Sequence, residues 1–327
     1  MKKAVVTGGA GFIGSHVVDA LVGRGVEILI IDSLTSGSEK NVQGAKAKGK
    51  VSLIKSDICS KDAFDAICEF KPETIFHLAA QMDVRRSVKE PSFDAEKNIV
   101  GTVNLLEAAR QAGTKQFVFS STGGAIYGEQ ESFPADELHP NRPESPYGVS
   151  KKGAELYLEY FARFYGLQTI SLRYSNVYGP RQNPHGEAGV VAIFTERVLE
   201  GKPLTVFGDG KQTRDFIYVG DVVDANMKVT SVGVEPGFFV YNVGRGREVT
   251  VLEIVDGIKH VWEKIGAKGG AIKPIEVSFA PARPGEQMRS VITPKKLEKT
   301  FGWSSTMELL EGLEVTFRSF LEGVDSV

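Results

Sequence analysis

The chain has 327 residues, enough for one large domain or two unequal ones, and carries 39 basic and 41 acidic side chains. A formal charge of −2, with both signs interspersed, excludes a surface specialised for nucleic acid or for an anionic membrane. The two cysteines, Cys59 and Cys68, fit no disulfide framework, and no apolar run suits a signal peptide or a membrane span, so we expect a cytoplasmic protein. The histidines share no ligand spacing, so we expect no metal site.

The first half of the chain alternates short apolar strands with amphipathic helices. We predict strands at 3–7, 27–31, 51–54, 74–78 and 115–120, and helices at about 12–23, 61–70 and 92–112. A longer helix at about 146–165 and a strand at 169–174 follow. This alternation predicts an α/β fold, a Rossmann-type doubly wound parallel sheet, whose ligands bind beyond the carboxyl ends of the strands.

A run of glycines follows the first strand directly and opens the first helix. In the sequence from Gly8 to Gly14, Gly8 permits a tight turn, Gly11 lets the backbone approach a pyrophosphate, and Gly14 lets the helix pack close to the strand. The N–H groups at the start of the helix then face the anion. The sequence therefore predicts a bound dinucleotide.

Asp32 ends the second predicted strand, about 20 residues after the glycine run. An acid at this place accepts hydrogen bonds from a ribose diol and repels a 2′-phosphate, and no arginine follows closely. This pattern favours NAD over NADP. The simpler alternative is that Asp32 only begins the turn Asp32–Gly37.

The composition changes after about residue 175, where loops rich in Gly, Pro, Asn and Asp become frequent. We therefore predict an NAD-binding Rossmann domain at 1–175 and a smaller C-terminal α/β lobe for the substrate at 176–327. The chain is expected to return to the first domain near 215–245.

Tyr147 and Lys151 stand at positions i and i+4 of the long helix, on one face. A tyrosine ordinarily titrates near pH 10, but the lysine ammonium and an oxidised nicotinamide are expected to lower its pKa, so that the phenolate takes a proton from a substrate hydroxyl. Thr122, at the end of the fifth strand, is predicted to bond the reacting oxygen, with Ser121 as the alternative. A tyrosine and a lysine four residues apart, as Tyr147 and Lys151 are, also occur on ordinary solvated helices.

These motifs resemble those of the extended short-chain dehydrogenases/reductases and, within them, the UDP-glucose 4-epimerases. The matching stretches are Thr7–Gly14, Asp32–Gly37, Asp57–Ile58, His77–Gln81, Asn98–Thr102, Ser120–Gly128, Tyr147–Lys151, Leu172–Pro180, Val206–Gly210 and Arg214–Val219. They extend over nearly the whole chain and are more specific for the superfamily than for the substrate.

The resemblance implies a set of residues for each ligand. For NAD the set is Gly8, Gly11, Phe12, Ile13, Gly14, Asp32, Ser33, Leu34, Thr35, Ser36, Gly37, Asp57, Ile58, Leu78, Ala79, Ala80, Gln81, Asn98, Ser120, Tyr147, Lys151 and Tyr174. For the substrate, the sugar hydroxyl is contacted by Thr122 and Tyr147, and the diphosphate by Asn176, Arg214 and Arg283. The uracil is contacted by Val190, Thr205, Val206 and Phe207, and the ribose by Glu286.

The implied activity is reversible epimerisation at C4 of a UDP-hexose through a 4-keto intermediate, by a homodimer that pairs the helices 92–112 and 147–165. UDP-uronate 4-epimerisation, 4,6-dehydration and decarboxylation of a nucleotide-sugar are alternatives, and a non-catalytic NAD-binding protein is a minor one. Gly123 and Gly124 stand where dehydratases of this family carry Asp-Glu, which counts against dehydration. The choice between uracil and thymine stays open.

The chain departs from the family pattern at two positions. Met82 occupies a place where many relatives have a lysine, so that Arg85 or Arg86 is expected to meet the phosphate charge instead. Ser290 aligns with a bulky tyrosine of some relatives. A small residue there leaves room beside the 2-position of the sugar, and we expect N-acetylated sugars to be accepted as well.

Overall fold

The computed structural model describes residues 1–185, 189–231, 233–266, 274–282 and 287–324. Its strands are Lys3–Thr7 (β1), Glu27–Asp32 (β2), Val51–Lys55 (β3), Thr74–His77 (β4), Gln116–Thr122 (β5), Gln168–Tyr174 (β6), Asn176–Tyr178 (β7), Leu204–Phe207 (β8), Thr213–Arg214 (β9), Phe216–Tyr218 (β10), Gly237–Val243 (β11), Val249–Thr250 (β12), Val277–Ala280 (β13) and Arg289–Ser290 (β14). Its helices are Phe12–Val22 (α1), Gln43–Lys48 (α2), Lys61–Phe70 (α3), Val84–Lys89 (α4), Pro91–Ala95 (α5), Gly101–Ala112 (α6), Pro146–Tyr165 (α7), Val190–Leu199 (α8), Val219–Val229 (α9), Val251–Gly266 (α10), Lys295–Phe301 (α11) and Leu309–Val324 (α12).

A seven-stranded sheet forms the centre of the fold, in the order β11-β6-β5-β4-β1-β2-β3. Every pairing in it is parallel. The order of the chain reverses between β1 and β4, which is where a sheet of this type leaves a crevice for a ligand. The predicted Rossmann-type fold is therefore confirmed.

Helices cover both faces of this sheet because its strands are apolar on both sides. Val6 of β1 belongs to one core with Val17 and Leu21 of α1, whereas its neighbour Val5 belongs to the opposite core. That second core contains Leu158 of α7 together with residues of α3 and α6. Alternate residues of one strand thus anchor the two helical layers.

The chain after residue 175 completes the first layer. Strand β11 pairs with β6 over the register from Gly237↔Gln168 to Val243↔Tyr174, and helix α9 packs against α1. Leu297 and Trp303 also belong to the core around α1. The return to the sheet therefore includes residues beyond the 215–245 segment that the sequence indicated.

A separate apolar core lies among α8, α10, α12 and the parallel pair β8–β13. The short strands β12, β9 and β14 lie next to each other, and β7 pairs with β10. Among the described helices, none combines the length and the apolar character that crossing a bilayer requires.

Candidate active site

The glycine turn after β1 is too tightly packed for any side chain at two of its positions. Gly8 has a φ of +67°, and a Cβ there would lie 2.7 Å from the backbone nitrogen of Ala79. A Cβ at Gly14 would overlap the carbonyl oxygen of Gly8. The first turn of α1 therefore lies directly against the end of β1, with its N–H groups at the crevice, which is the geometry that a pyrophosphate needs.

The carboxylate of Asp32 joins the glycine turn to the turn that follows β2. Its Oδ2 accepts a hydrogen bond from the backbone N–H of Ala10 at 2.9 Å, and its Oδ1 accepts one from Leu34 N–H at 2.8 Å. Leu34 has a left-handed φ of 58°, and Ser33 and Thr35 share a hydrogen bond between their hydroxyls. Since a carboxylate has about four acceptor positions, Asp32 can also accept the hydroxyls of a ribose.

The end of β4 is held to the helix that carries Asn98. The Asn98 amide donates to the carbonyl of Gln81 at 2.8 Å and accepts from its N–H at 3.0 Å. Asn98 lies in a π-helical turn, Glu96–Val100, inside the region predicted as one regular helix. Such turns bulge a helix locally and are common at functional sites. The loop 78–81 is thereby fixed beside the glycine turn.

Asp57 lies beyond the end of β3, as predicted, and its carboxylate already has two protein partners. One oxygen accepts from the Cys59 N–H at 2.9 Å, and the other lies 2.9 Å from the Lys97 ammonium. Burial alone would raise the pKa of Asp57, but the bonds from Lys97 and Cys59 hold it below its ordinary value. The group is therefore an anion and a hydrogen-bond acceptor at neutral pH.

Tyr147 and Lys151 lie on the first two turns of α7. Pro146 starts this helix, and the Ser145 side chain accepts from Gly148 N–H, which caps it. The Lys151 ammonium donates to the carbonyl of Ser120 at 2.8 Å and lies 5.9 Å from the centre of the Tyr147 ring. The hydroxyl of Thr122, at the end of β5, accepts from the N–H of Ala125 at 3.2 Å. The sheet thus brings Thr122, Tyr147 and Lys151 into one region.

The protein's own groups, without the cofactor, raise the pKa of Tyr147. Burial raises this pKa, and the negative charge of Asp94 raises it further. Burial also lowers the pKa of Lys151 to about 8, against the opposing charges of Asp94 and Glu155. The protein groups alone therefore do not make the phenol acidic, and a phenolate needs the additional positive charge that the prediction assigned to the oxidised nicotinamide.

Ser121, the alternative to Thr122, points away from the crevice. Its hydroxyl donates to Glu155 at 2.9 Å, and that carboxylate also accepts from Ser171 and from the guanidinium of Arg173. Arg173 continues the network by donating to the hydroxyl of Tyr127 at 3.0 Å. Ser121 belongs to this buried network, so Thr122 is the hydroxyl that remains for a substrate.

The residues expected to hold a nucleotide-sugar lie on β7, β8, β9 and the start of α8. Asn176 donates from both its backbone and its side-chain nitrogen to the carbonyl of Asp215. The Arg214 guanidinium donates to the carbonyl of Thr213 at 2.8 Å. Arg283 and Glu286 fall outside the described residues.

Alternate residues of β8 face different environments. Thr205 and Phe207 are partly exposed, whereas the Val206 side chain is fully buried in the core of the smaller lobe. A base bound beside β8 could therefore contact the backbone of Val206 but not its side chain. Val190, at the first turn of α8, is partly exposed.

The remaining predicted cofactor residues lie around the same crevice. Ile58 is buried beside the helix of Asn98, and a Cβ at Gly101 would touch its side chain. Tyr174 is buried and bonds through its hydroxyl to Asn226 of α9. Arg86, one of the two arginines offered in place of a lysine, pairs with Glu90 and stacks 3.9 Å from the Phe93 ring centre. Its guanidinium therefore already has an acidic and an aromatic partner.

One acid of this region was missed in the sequence. Asp94 of α5 is fully buried and accepts hydrogen bonds from the side chains of Gln81 and Asn98. Its position four residues before Asn98, on the same face of a helix, was the available signal.

The fold and the site together define an α/β protein that binds a dinucleotide beside a Tyr–Lys pair, the arrangement of the short-chain dehydrogenases/reductases. The chain belongs to the NAD dependent epimerase/dehydratase family, whose sequence profile matches residues 4–244. Its cofactor is NAD. The close packing of the glycine turn and the acceptor carboxylate of Asp32 beside it are features that suit this cofactor.

Named proteins similar to this chain cover almost all of it. UDP-glucose 4-epimerase of Mycolicibacterium smegmatis is 43% identical over 318 residues, 97% of this chain and 98% of the relative. The structure of UDP-glucose 4-epimerase from Thermotoga maritima with UDP-glucose superposes with a TM-score of 0.89 at 43% identity, covering 98% of this chain and 99% of that one. The structure of UDP-glucose 4-epimerase from Thermus thermophilus in complex with NAD superposes with a TM-score of 0.86 at 44% identity, covering 98% of this chain and 99% of that one.

Proposed function

We propose that this protein is an isomerase that reversibly epimerises C4 of a UDP-hexose, interconverting UDP-glucose and UDP-galactose. The observation that carries the proposal is the bond of Lys151 to the Ser120 carbonyl near the carboxyl end of β5, the strand that Thr122 ends, with Tyr147 one helical turn before Lys151 on α7. The similarity to UDP-glucose 4-epimerases over nearly the full chain supports the choice of substrate.

The proposed chemistry assigns a role to each of the three side chains. Thr122 bonds the 4-hydroxyl of the sugar, and Tyr147 takes its proton and later returns it. Lys151 supplies a positive charge that orients the site. When bound, NAD supplies the acceptor and donor of a hydride at C4 and, in its oxidised form, the positive charge that the Tyr147 phenolate needs. The 4-keto sugar turns over between the two half-reactions, so the hydroxyl returns on the opposite face.

The division of labour between two lobes is part of the proposal. Residues 1–175 would form the NAD-binding domain, and 176–327 the lobe for the nucleotide-sugar, apart from the segments that rejoin the sheet. Asn176, Arg214 and Arg283 would hold the diphosphate, for which a planar guanidinium fork is well suited. Binding the UDP firmly and the hexose loosely leaves the sugar free to rotate while the UDP moiety stays fixed.

Packing next to Thr122 favours epimerisation over dehydration. Gly123 and Gly124 carry no titratable side chain, and a Cβ at Gly123 would lie 2.6 Å from the Cδ1 of Ile292, so a larger residue there would require Ile292 to move. A 4,6-dehydratase needs an additional acid and base near C5 and C6 of the sugar. The two positions after Thr122, Gly123 and Gly124, do not supply such a pair.

Ser290 supports a wider range of sugars. It is buried in β14, next to Arg214 of β9 in the register of these strands. A small side chain beside the residue proposed to hold the diphosphate leaves space for an N-acetyl group. We expect UDP-N-acetylglucosamine to be epimerised, and the variant Ser290→Tyr to lose that activity while it retains activity on UDP-galactose.

We also propose that the protein is a homodimer paired through α7 and the helix before it. Leu156, Tyr160 and Phe164 form an exposed apolar row on α7. Leu106 of α6 is fully buried against the sheet and is not part of this exposed row. Free thiols at Cys59 and Cys68 accord with a cytoplasmic site of action, and the proposed reaction would serve galactose metabolism.

The function is tested by incubating the purified protein with UDP-galactose, without added cofactor, and resolving the products. We expect UDP-glucose, and we expect Tyr147→Phe to lower kcat by roughly 10²–10⁴-fold because it removes the acid–base group. Tyr157→Phe, on an exposed part of the same helix, is the matched control and should keep full activity. A 4-keto-6-deoxy product would instead assign the protein to the dehydratases.

A further inference from the structure

Asp94 is a fully buried acid that the proposed chemistry does not use. It lies on α5, which packs against α7. Its Oδ1 accepts from the Gln81 amide at 2.8 Å and from the Asn98 amide at 3.0 Å. Its Oδ2 is buried and has no hydrogen-bond partner among the residues that the structure describes. A buried carboxylate oxygen left in this state is costly unless a positive charge lies nearby.

The two bonds to Oδ1 orient the side chains that fix the cofactor loop. Because Asp94 accepts from the Asn98 nitrogen, the Asn98 oxygen faces the N–H of Gln81 and accepts from it. The Gln81 amide also donates to the carbonyl of Asp83, which closes the end of the loop. A single carboxylate therefore sets the hydrogen-bond direction of the whole segment beyond β4.

The charge of Asp94 also acts on both members of the catalytic pair. It raises the pKa of Tyr147, and it opposes the fall of the pKa of Lys151 that burial causes. Glu155 opposes that fall as well, but its carboxylate is already bound by the Arg173 guanidinium. Asp94 is thus the carboxylate left to balance the ammonium of Lys151.

The other groups around Lys151 do not compete for this role. His77 of β4 is buried between Thr7 and Thr102, and burial lowers its pKa well below the ordinary value, so it is neutral. From β5, Lys151 meets the carbonyl of Ser120 and the ring of Phe119, whose centre lies 4.6 Å from its nitrogen.

We propose that Asp94 is a positioning residue of the active site, which holds Gln81 and Asn98 in register with its Oδ1 and places a buried carboxylate on α5 against α7, the helix of Lys151. The inference deepens the proposed function, since it concerns the same Tyr–Lys pair and the same cofactor loop. It gives α5 a part in catalysis that acts through Gln81, Asn98 and the helix of Lys151.

The test separates the charge of Asp94 from its hydrogen bonds. In Asp94→Asn the side-chain oxygen can still accept from Gln81 and Asn98, but the negative charge is gone. The full-length protein is loaded with NADH, and its release into excess NAD is followed by fluorescence between pH 6.5 and 10. In the wild type we expect release to accelerate near pH 8, as Lys151 loses its proton. In Asp94→Asn the acceleration should begin about one pH unit lower.

The matched control is Glu90→Gln, which removes an exposed carboxylate just before α5 and should leave the release curve unchanged. If Asp94→Asn does not fold, Asp94→Ser removes the same charge with a smaller side chain and is measured in the same way. An unshifted curve in a folded Asp94 variant, or an equal shift in Glu90→Gln, would overturn the proposal. Because release needs no sugar, failure to convert UDP-galactose would reject the proposed function and leave this test intact.

Discussion

At the scale of single residues, the buried ion pair between Glu155 and Arg173 anchors the catalytic helix α7 to the sheet. Glu155 lies one helical turn after Lys151 on α7 and is fully buried. Its two oxygens accept from the Arg173 guanidinium of β6 at 2.9 and 2.6 Å. Ser121 of β5 donates to the same carboxylate, so one acid ties the helix of Tyr147 to two neighbouring strands.

We expect Glu155→Gln to lower the free energy of unfolding by about 3–5 kcal/mol, because it leaves the Arg173 charge buried without a counter-ion. Burial alone would raise the pKa of Glu155, but Arg173 holds it below its ordinary value. The contribution of this pair is therefore complete above the unfolded pKa of about 4.3 and is lost as the pH falls through the lower folded pKa.

Urea unfolding at pH 7 and at acid pH measures both effects. Glu159→Gln, on the next turn of the same helix and partly exposed, is the control and should change stability by less than about 0.5 kcal/mol. If the two variants lose the same stability at pH 7, the ion pair does not anchor the helix.

At the scale of elements, the glycine turn brings α1 so close to the end of β1 that only glycine, which has no side chain, fits at the contact. The Gly11 N–H donates to the Gly8 carbonyl at 3.0 Å, and the Gly14 backbone lies against that same carbonyl. The close contact aims the amino end of α1 at the crevice. Both the position of the helix and the anion site depend on it.

Gly14→Ala should abolish retention of NAD and destabilise the protein, because its Cβ would overlap the Gly8 carbonyl and push α1 away from β1. Gly44→Ala is the matched control: its Cβ meets nothing within 4 Å in α2, and we expect it to be neutral or stabilising by up to about 1 kcal/mol. Cofactor content after gel filtration, together with thermal unfolding, distinguishes the two. Normal NAD content in Gly14→Ala would contradict the role given to this turn.

Elements of this kind are predictable from the sequence, whereas the partners of buried polar groups are not. The strands and helices follow from local periodicity, and Tyr147 and Lys151 follow from their spacing on one helix. The network of Glu155 depends on contacts with Ser121 and Arg173, which lie in other segments of the chain and which no local pattern encodes. The burial of Tyr147 is a further example, because spacing indicates a neighbouring charge but not how deeply the phenol is buried.

At the scale of the whole molecule, one side of α7 remains apolar and uncovered. Leu156 is 56% exposed and Phe164 62%, and both belong to the helix whose first turns carry the catalytic pair. Monomeric proteins rarely expose a contiguous row of large apolar side chains. A second copy that covers this row would also stiffen α7.

We expect Leu156→Glu to convert the proposed dimer into a monomer, because it places a charge in the middle of the apolar row. Light scattering coupled to gel filtration measures the mass directly. Leu138→Glu makes the same substitution at a position that is 91% exposed outside the row, and it should leave the mass unchanged. A wild-type protein that is monomeric would remove the basis for the pairing.

The late arrival of β11 has a consequence for synthesis on the ribosome. Strand β6 is complete at residue 174, but the strand that pairs with it spans Gly237–Val243. While the intervening segment is being translated, β6 presents an unpaired edge to solvent or to other nascent chains. The hydroxyl of Tyr127 bonds to Asn242 of β11, so it also lacks this partner until β11 has been synthesised. Translation speed between these two strands therefore sets how long the growing polypeptide stays vulnerable to aggregation.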